Sequence, residues 1–465
     1  MSNESLLSAL YVLLPVLLAS CSADKSVRPF TGAKGEVRLM TLDPGHFHAG
    51  LVQKTMYDQV SPVVYVYAPQ GAEVEDHLKR IDQYNQRADQ PTRWEEKLYI
   101  GPDYLQKMVE QKPGNVMITA GNNAKKTQYI RAAVEAGIHV LADKPLCIDA
   151  QGFEELKACF ATAQKNNVLL YDIMTERSEI TSILQKELSQ IPEVFGALMT
   201  GTAEDPAITK ESVHHFFKEV SGSPLKRPAW FYDVRQQGEG IADVTTHLLD
   251  LVMWEAYPDQ AIDYRTDITL AAAKRWPTLI SKEQFIRSTQ LPEWPDYLTP
   301  YLDEKGLLNV YANGEIRYRL KDVYAKVSVI WNFEAPAGAG DTHYSVMKGS
   351  KAHVIIQQGA EEKFKPELYV IPAGDQNMEG LTHELKKALA ALEKKYPGIA
   401  LEKQPHRCKI TIPQSHRVGH EAHFGQVTER FLRYLIDGRL PAWEGPNMLA
   451  KYWTTTQALE MAKSR

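Results

Sequence analysis

Apolar residues follow two different rhythms in the two halves of the chain. From Glu36 to Ile173, short apolar runs alternate with segments whose apolar positions recur every three to four residues. Glu36-Val-Arg-Leu-Met-Thr-Leu42 reads as a buried strand, His46 to Val60 as a helix and Pro62 to Ala68 as a second strand. Ala72 to Gln86 carries Val74, Leu78 and Ile81 at helical spacing, and Pro102 to Gln111 gives a further short helix. Asn115 to Thr119 then reads as a strand, Ala124 to Gly137 as an amphipathic helix closed by glycine, and His139 to Asp143 as the next strand. A helix from about Ala150 to Lys165 and the strand Val168 to Ile173 complete the series. Such alternation predicts a doubly wound parallel sheet of roughly six strands, ending near Met174.

Beyond Met174 the period changes to two. After a helix over Ser178 to Ser189, alternating segments predict strands at Phe195–Thr202, Ala261–Leu270, Leu307–Ala312, Glu315–Leu320, Tyr324–Phe333, Asp341–Met347, Ala352–Gln357 and Lys409–Ile412. Asn313-Gly314 is a hairpin signal between two of them. Helices return at Val418–Asp437 and Asn447–Lys463. The fold class is therefore α/β followed by α+β: a doubly wound parallel sheet, then a large, mostly antiparallel sheet with helices on one face. The expected units are residues 36–174, residues 175–440 and a C-terminal helix at 441–465.

Composition changes this picture little. The net charge is −5 and no basic block points to nucleic acid. Cys147, Cys159 and Cys408 are too few and too scattered for a disulfide framework or a C-x-x-C site, and Cys147 and Cys159, beside expected helix positions, read as buried fillers. The N-terminus adds more. Leu6 to Ala19 is an apolar run of signal-peptide length, and it ends Leu18-Ala19-Ser20-Cys21, a sequence like a bacterial lipobox. Residues 1–21 are therefore expected to direct export, with lipid on Cys21 tethering the protein to a membrane and 22–35 acting as a linker. Met1 to Ser5 departs from the usual pattern: it has Glu4 and no Lys or Arg, and no twin-arginine pair precedes the run.

Candidate chemistry sits at the ends of these elements. His139-Val-Leu-Ala-Asp-Lys144-Pro145 places an ammonium at the carboxyl edge of a parallel sheet, where open α/β sheets bind ligands. Gly238-Glu-Gly-Ile-Ala-Asp243-Val-Thr-Thr-His247 places a carboxylate and an imidazole four apart, on one face of an expected helix, with Asp250 three further on. Upstream, His214, His215, Trp230 and Arg235 offer hydrogen bonds and an aromatic face suited to sugars. His343, His420 and His423 read as structural, and His420-x-x-His423 lacks the spacing of zinc proteases.

The Asp143-Lys144-Pro145 run and the Asp243-x-x-x-His247 pair, in this order, resemble the Gfo/Idh/MocA oxidoreductases, and the likeness spans most of the chain after residue 35. The resemblance implies a Rossmann-like domain followed by an open antiparallel sheet, an acid/base role for His247, Asp243 orienting it or holding a substrate hydroxyl, and Lys144 touching both nicotinamide and substrate. It implies NAD or NADP held by Gly45, His46, His48, Ala120, Asn122, Asp143 and Lys144, a carbohydrate substrate, and homo-oligomers formed through the open sheet face.

One loop departs from the family. Where Gly-x-Gly-x-x-Gly should cradle a pyrophosphate, the chain reads Asp43-Pro-Gly45-His46-Phe-His48-Ala49-Gly50. The second strand ends without the acid that grips an adenosine ribose. Three readings stay open: a divergent dinucleotide site, a divalent-metal or sugar site built from Asp43, His46 and His48, and a structural turn. The expected function is thus an exported sugar or glycoside oxidoreductase with tightly bound cofactor, acting within a redox-neutral 3-keto-glycoside cycle. The alternatives are a metal-dependent, redox-neutral sugar lyase, hydratase or isomerase on the same fold, and a carbohydrate-binding lipoprotein without catalysis.

Overall fold

The computed structural model describes residues 30–464 except 221–222 and 337–338. The apolar run and Cys21 lie outside the described residues. Within those residues, no helix is long and apolar enough to cross a membrane.

The first half forms β1 (Leu39–Leu42), α1 (His48–Leu51), β2 (Val63–Ala68), α2 (Ala72–Gln86), β3 (Glu95–Ile100), α3 (Tyr104–Gln111), β4 (Val116–Thr119), α4 (Asn123–Glu135), β5 (His139–Asp143), α5 (Ala150–Lys165) and β6 (Leu170–Ile173). The strands make one parallel sheet in the order β3-β2-β1-β4-β5-β6. β1, β4, β5 and β6 are buried along their whole length, as expected of a sheet covered by helices on both faces. The order reverses between β1 and β4, so the loops after these two strands flank the switch point where such sheets bind ligands.

The second half contributes α6 (Ile180–Ser189), β7 (Ile208–Phe217), a small ribbon of β8 (Glu219–Val220) and β9 (Ser223–Pro224), α7 (Val234–Gln237), α8 (Thr245–Ala256), β10 (Ile268–Ile280), α9 (Lys282–Thr289), β11 (Leu308–Leu320), β12 (Val323–Glu334), β13 (Thr342–Lys348), β14 (Ala352–Gln357), β15 (Glu367–Pro372), α10 (Met378–Leu392), β16 (Ala400–Lys403), β17 (Cys408–Thr411), α11 (His420–Asp437) and α12 (Glu444–Lys463). Nine strands pair in the order β10-β11-β12-β7-β13-β14-β15-β17-β16, all antiparallel except β12 with β7. Helices α6, α8 and α10 bury their apolar faces against the sheet. The C-terminal stretch returns to the first domain: Phe424, Val427 and Phe431 of α11 and Met448 and Tyr452 of α12 belong to its core.

Four expected elements differ. The helix expected over His46–Val60 is a single turn, because Trp94 Nε1 and Arg87 Nη2 donate to the carbonyls of Gln53 and Lys54, which a longer helix would have used. Phe195–Thr202 is not a strand: Gly196 and Gly201 take left-handed backbone conformations, and only isolated bridges form. The strand expected from Ala261 begins at Ile268, since Asp263 accepts from the backbone N–H of Arg265 and turns the chain. Asn313-Gly314 is no hairpin; it lies inside β11, opposite an irregularity between Trp276 and Thr278. There Asn313 donates to the Trp276 carbonyl and Thr278 Oγ1, and accepts from the Trp331 N–H.

Candidate active site

The carboxyl end of β5 faces the turn before α8. Lys144 Nζ lies 2.6 Å from Asp243 Oδ1, an ion pair between the two domains whose side chains are only 11% and 6% exposed. Gln237 Nε2 donates to the other Asp243 oxygen at 2.9 Å. The turn is held from below by packing. A Cβ added to Gly240 would stand 1.7 Å from the Ala312 carbonyl oxygen, so only glycine passes over β11 at this point. Gly240→Ala is expected to cost about 1–3 kcal/mol or more by overpacking and to displace Asp243. A lowered thermal midpoint together with lost activity would be the readout; an unchanged midpoint would contradict it.

Asp243 precedes α8 and is not on its face, so the expected orienting contact with His247 is not made. Its carboxylate holds Lys144 and Gln237; no hydrogen bond joins it to His247. His247 is on α8 with its Nδ1 buried and unpartnered. Burial first, and the Lys144 ammonium second, push its pKa well below the ordinary imidazole value, so the ring is neutral. Asp250 is turned into the protein, where it pairs with Arg177 and Lys451.

The divergent loop keeps the backbone of a dinucleotide turn. In Gly-x-Gly-x-x-Gly register, positions 43, 45 and 48 carry Asp, Gly and His. Asp43 adopts the left-handed conformation that the first glycine normally supplies (φ 47°), which Asp tolerates better than most residues. Its carboxylate turns away from the loop and accepts from Tyr129 Oη at 2.6 Å, with Lys125 Nζ at 3.7 Å. Asp43 therefore does not stand with His46 and His48, and that expected metal trio is not formed. The two imidazoles instead approach Asp143: Nδ1 of His48 and of His46 lie 2.9 and 3.7 Å from its Oδ2. At the third fingerprint position, His48 packs on Phe424 and His420 of α11.

A cavity of about 440 Å³ runs along the same loop, lined among others by Gly45, His46, Phe47, Ala72, Arg80 and Arg227. It is of the size of small-molecule sites. A Cβ on Gly45 would meet Gly121 and the Trp230 indole at 3.4 Å. The left-handed turn, the bare Gly45 and the cavity fit a dinucleotide. The Ala120 carbonyl is taken by the His46 N–H at 3.0 Å, and Asn122 caps α4 while donating to Gln236.

The expected substrate residues divide. His214 and His215 both point Nδ1 at Asp341, at 3.1 and 3.2 Å, and Lys218 pairs with the same carboxylate. His214 also accepts from Ser212 Oγ at 2.6 Å and stacks on Trp331. Trp230 is a buried packing residue. Arg235 is corrected: its guanidinium is held at the surface by Asp233 and the Tyr297 carbonyl, with the Tyr301 ring beneath it. Sequence reasoning missed Asp341, Lys218 and Gln237. A lone Asp or Gln in a loop carries no spacing signal; only a search for acids near the His214-His215 pair could have proposed Asp341.

Comparisons agree with this architecture. Residues 184–463 match a family model described as "Putative oxidoreductase C terminal domain", and residues 49–172 match "Oxidoreductase family, NAD-binding Rossmann fold". A crystal structure of a "putative oxidoreductase" from Parabacteroides merdae ATCC 43184 is 57% identical, covering 94% of this chain and 100% of its own, with a TM-score of 0.92. Levoglucosan dehydrogenase in complex with NADH and levoglucosan shares the fold at 14% identity, 92% and 97% coverage and a TM-score of 0.56. Biliverdin reductase from Synechocystis sp. PCC 6803, in complex with biliverdin and NADP+, does so at 12% identity, 92% and 99% coverage and a TM-score of 0.54. No curated protein sequence matches the chain.

Proposed function

Because the chain belongs to the Gfo/Idh/MocA family of oxidoreductases, we propose that it oxidises a hydroxyl of a sugar or glycoside with NAD or NADP, as an exported protein anchored through lipid on Cys21. The observation that carries this reading is the Lys144–Asp243 pair, which sets an oriented ammonium at the mouth of the parallel sheet, with the neutral, half-buried His247 imidazole on the neighbouring helix. A bound nicotinamide would supply the hydride acceptor. The chain supplies the rest. Lys144 donates a hydrogen bond to the hydroxyl oxygen and stabilises the negative charge that grows there, Asp243 fixes the direction of that donation, and His247 takes the proton. His214, His215 and Lys218, gathered on Asp341, bind neighbouring hydroxyls. Export away from the cytoplasmic cofactor pool favours a redox-neutral cycle: a transient 3-keto group would permit elimination of the glycosidic bond and addition of water before the ketone is reduced again, so that the net reaction is hydrolysis.

The test is a panel of sugars and glycosides offered to purified protein with NAD or NADP, read by single-turnover nicotinamide absorbance, by analysis of the sugar products and by binding calorimetry. The dehydrogenase crystallised with levoglucosan or L-sorbose guides the choice of panel. Failure of both dinucleotides to bind would overturn the proposal. Within it, His247→Asn is expected to lower turnover about 10²-fold, the loss typical for a positioned acid/base, with the circular dichroism unchanged. Since His247 is held below its ordinary range, wild-type activity should persist as pH falls through 6.5 and the acid limb should lie lower. Near-normal turnover in the variant would leave α8 a structural helix only.

A further inference from the structure

The fingerprint loop needs small side chains, yet this one carries two imidazoles, and both turn onto the carboxylate that ends β5. The nitrogen of His46, the nitrogen of His48 and a carboxylate oxygen of Asp143 all lie within 4.8 Å of one another, and the described residues hold no other such group. The separations to Asp143 Oδ2 are 2.9 Å for His48 and 3.7 Å for His46. Ligand atoms at about 2.0–2.1 Å from a tetrahedral zinc-class ion stand about 3.3 Å apart, so the observed values bracket the required edge. Small rotations of two side chains would close it.

The ligand chemistry is consistent. Two neutral imidazoles and one carboxylate are a nitrogen–oxygen set suited to a borderline divalent cation. The 2.9 Å contact between His48 and Asp143 is a hydrogen bond whose proton the ion would displace. The adjacent Lys144 charge is already balanced by Asp243, which reduces repulsion toward a second cation. The three side chains are 16%, 12% and 7% exposed, so the group is shielded but reachable from the cleft. His420 of α11 lies behind His48, its ring centroid 5.6 Å away, outside the group of three.

We propose that His46, His48 and Asp143 bind a single divalent transition cation of the zinc class, leaving at least one coordination position beside Lys144 for water or a substrate hydroxyl. Three protein ligands and an open position are the arrangement of a catalytic rather than a structural metal. The ion would bind two adjacent oxygens of a sugar, or lower the pKa of one hydroxyl, next to the lysine that receives its charge. The proposal goes beyond the dinucleotide reading and does not depend on it.

The experiment uses the full protein stripped with chelator. Zn²⁺ is titrated calorimetrically, Co²⁺ is followed by its visible absorption, and NAD or NADP binding is measured separately on the same preparation. The expected result is one ion per chain, with a Co²⁺ spectrum of low coordination number. His48→Gln and Asp143→Asn should each weaken binding at least about 10-fold, the lower bound for loss of a metal-site partner. Thermal melts check that each variant is folded, and the wild-type Co²⁺ spectrum stands as a readout that needs no variant. Absence of stoichiometric binding by the wild type, or binding unchanged in the His46→Gln/His48→Gln double variant, would overturn the proposal. A protein that binds metal and no dinucleotide upholds it and sinks the dinucleotide reading; the reverse result does the opposite.

Discussion

Lys144→Met is expected to lower turnover about 10³-fold, within the range for loss of a group acting on the reacting proton and charge, while the protein stays folded. Methionine fills the lysine's volume without its ammonium. The hydroxyl oxygen then loses its oriented donor, and Asp243 keeps only Gln237 as partner. The pair acts as a unit, so Lys144→Met combined with Asp243→Asn should cost little more than Lys144→Met alone. The measurement is kcat and KM on the best sugar of the panel. Substantial turnover by the single variant, or additive losses in the double, would remove Lys144 from the site.

Arg177→Met is expected to destabilise the protein by about 3–5 kcal/mol, the penalty for removing one partner from a buried charge group. Arg177 makes two 2.6 Å bonds to Asp250 and two more, at 2.8 and 3.0 Å, to Glu444; all three side chains are buried. Lys451 completes the group at 2.8 Å from both Asp172 and Asp250. The sign with pH follows. Burial alone would raise the Asp250 pKa, but Arg177 and Lys451 outweigh it and hold it well below the usual carboxylate range. Its stabilisation is therefore present above the unfolded carboxylate pKa and is lost as pH falls. In the variant, acid unfolding should begin at higher pH. Urea midpoints at neutral and acid pH measure both effects; an unchanged midpoint would show that the network contributes little.

Much of the fold could be read from the chain because buried strands leave a strong signal. β1, β2, β4, β5 and β6 are apolar runs between turn residues, and each was expected within a few residues of its place. β3 was missed because it is an edge strand, Glu95-Glu-Lys-Leu-Tyr-Ile100, whose polarity protects an open sheet edge and imitates a loop. β7 was hidden by Lys210, a fully buried ammonium that pairs with Glu255 and so breaks the apolar alternation without being exposed. The candidate site was legible where it rests on local order: Lys144 before a proline, and His247 after paired glycines. It was not legible where it rests on distance. Asp341 reaches His214 across 127 positions, and Asp143 reaches His48 across 95. The Asp43/His46/His48 trio failed because a left-handed residue sends its side chain away from those that follow, and Tyr129 was waiting for it.

Helix α12 has a mechanical consequence. Lys451 is bonded at once to Asp172, on the last strand of the parallel sheet, and to Asp250, on a helix of the other domain; Tyr452 adds a 2.7 Å bond to Asp172. A hinge rotation between the domains would have to separate this fully buried ammonium from one of its two carboxylates, so the helix resists opening of the two lobes much as a bolt through both leaves of a hinge resists its turning.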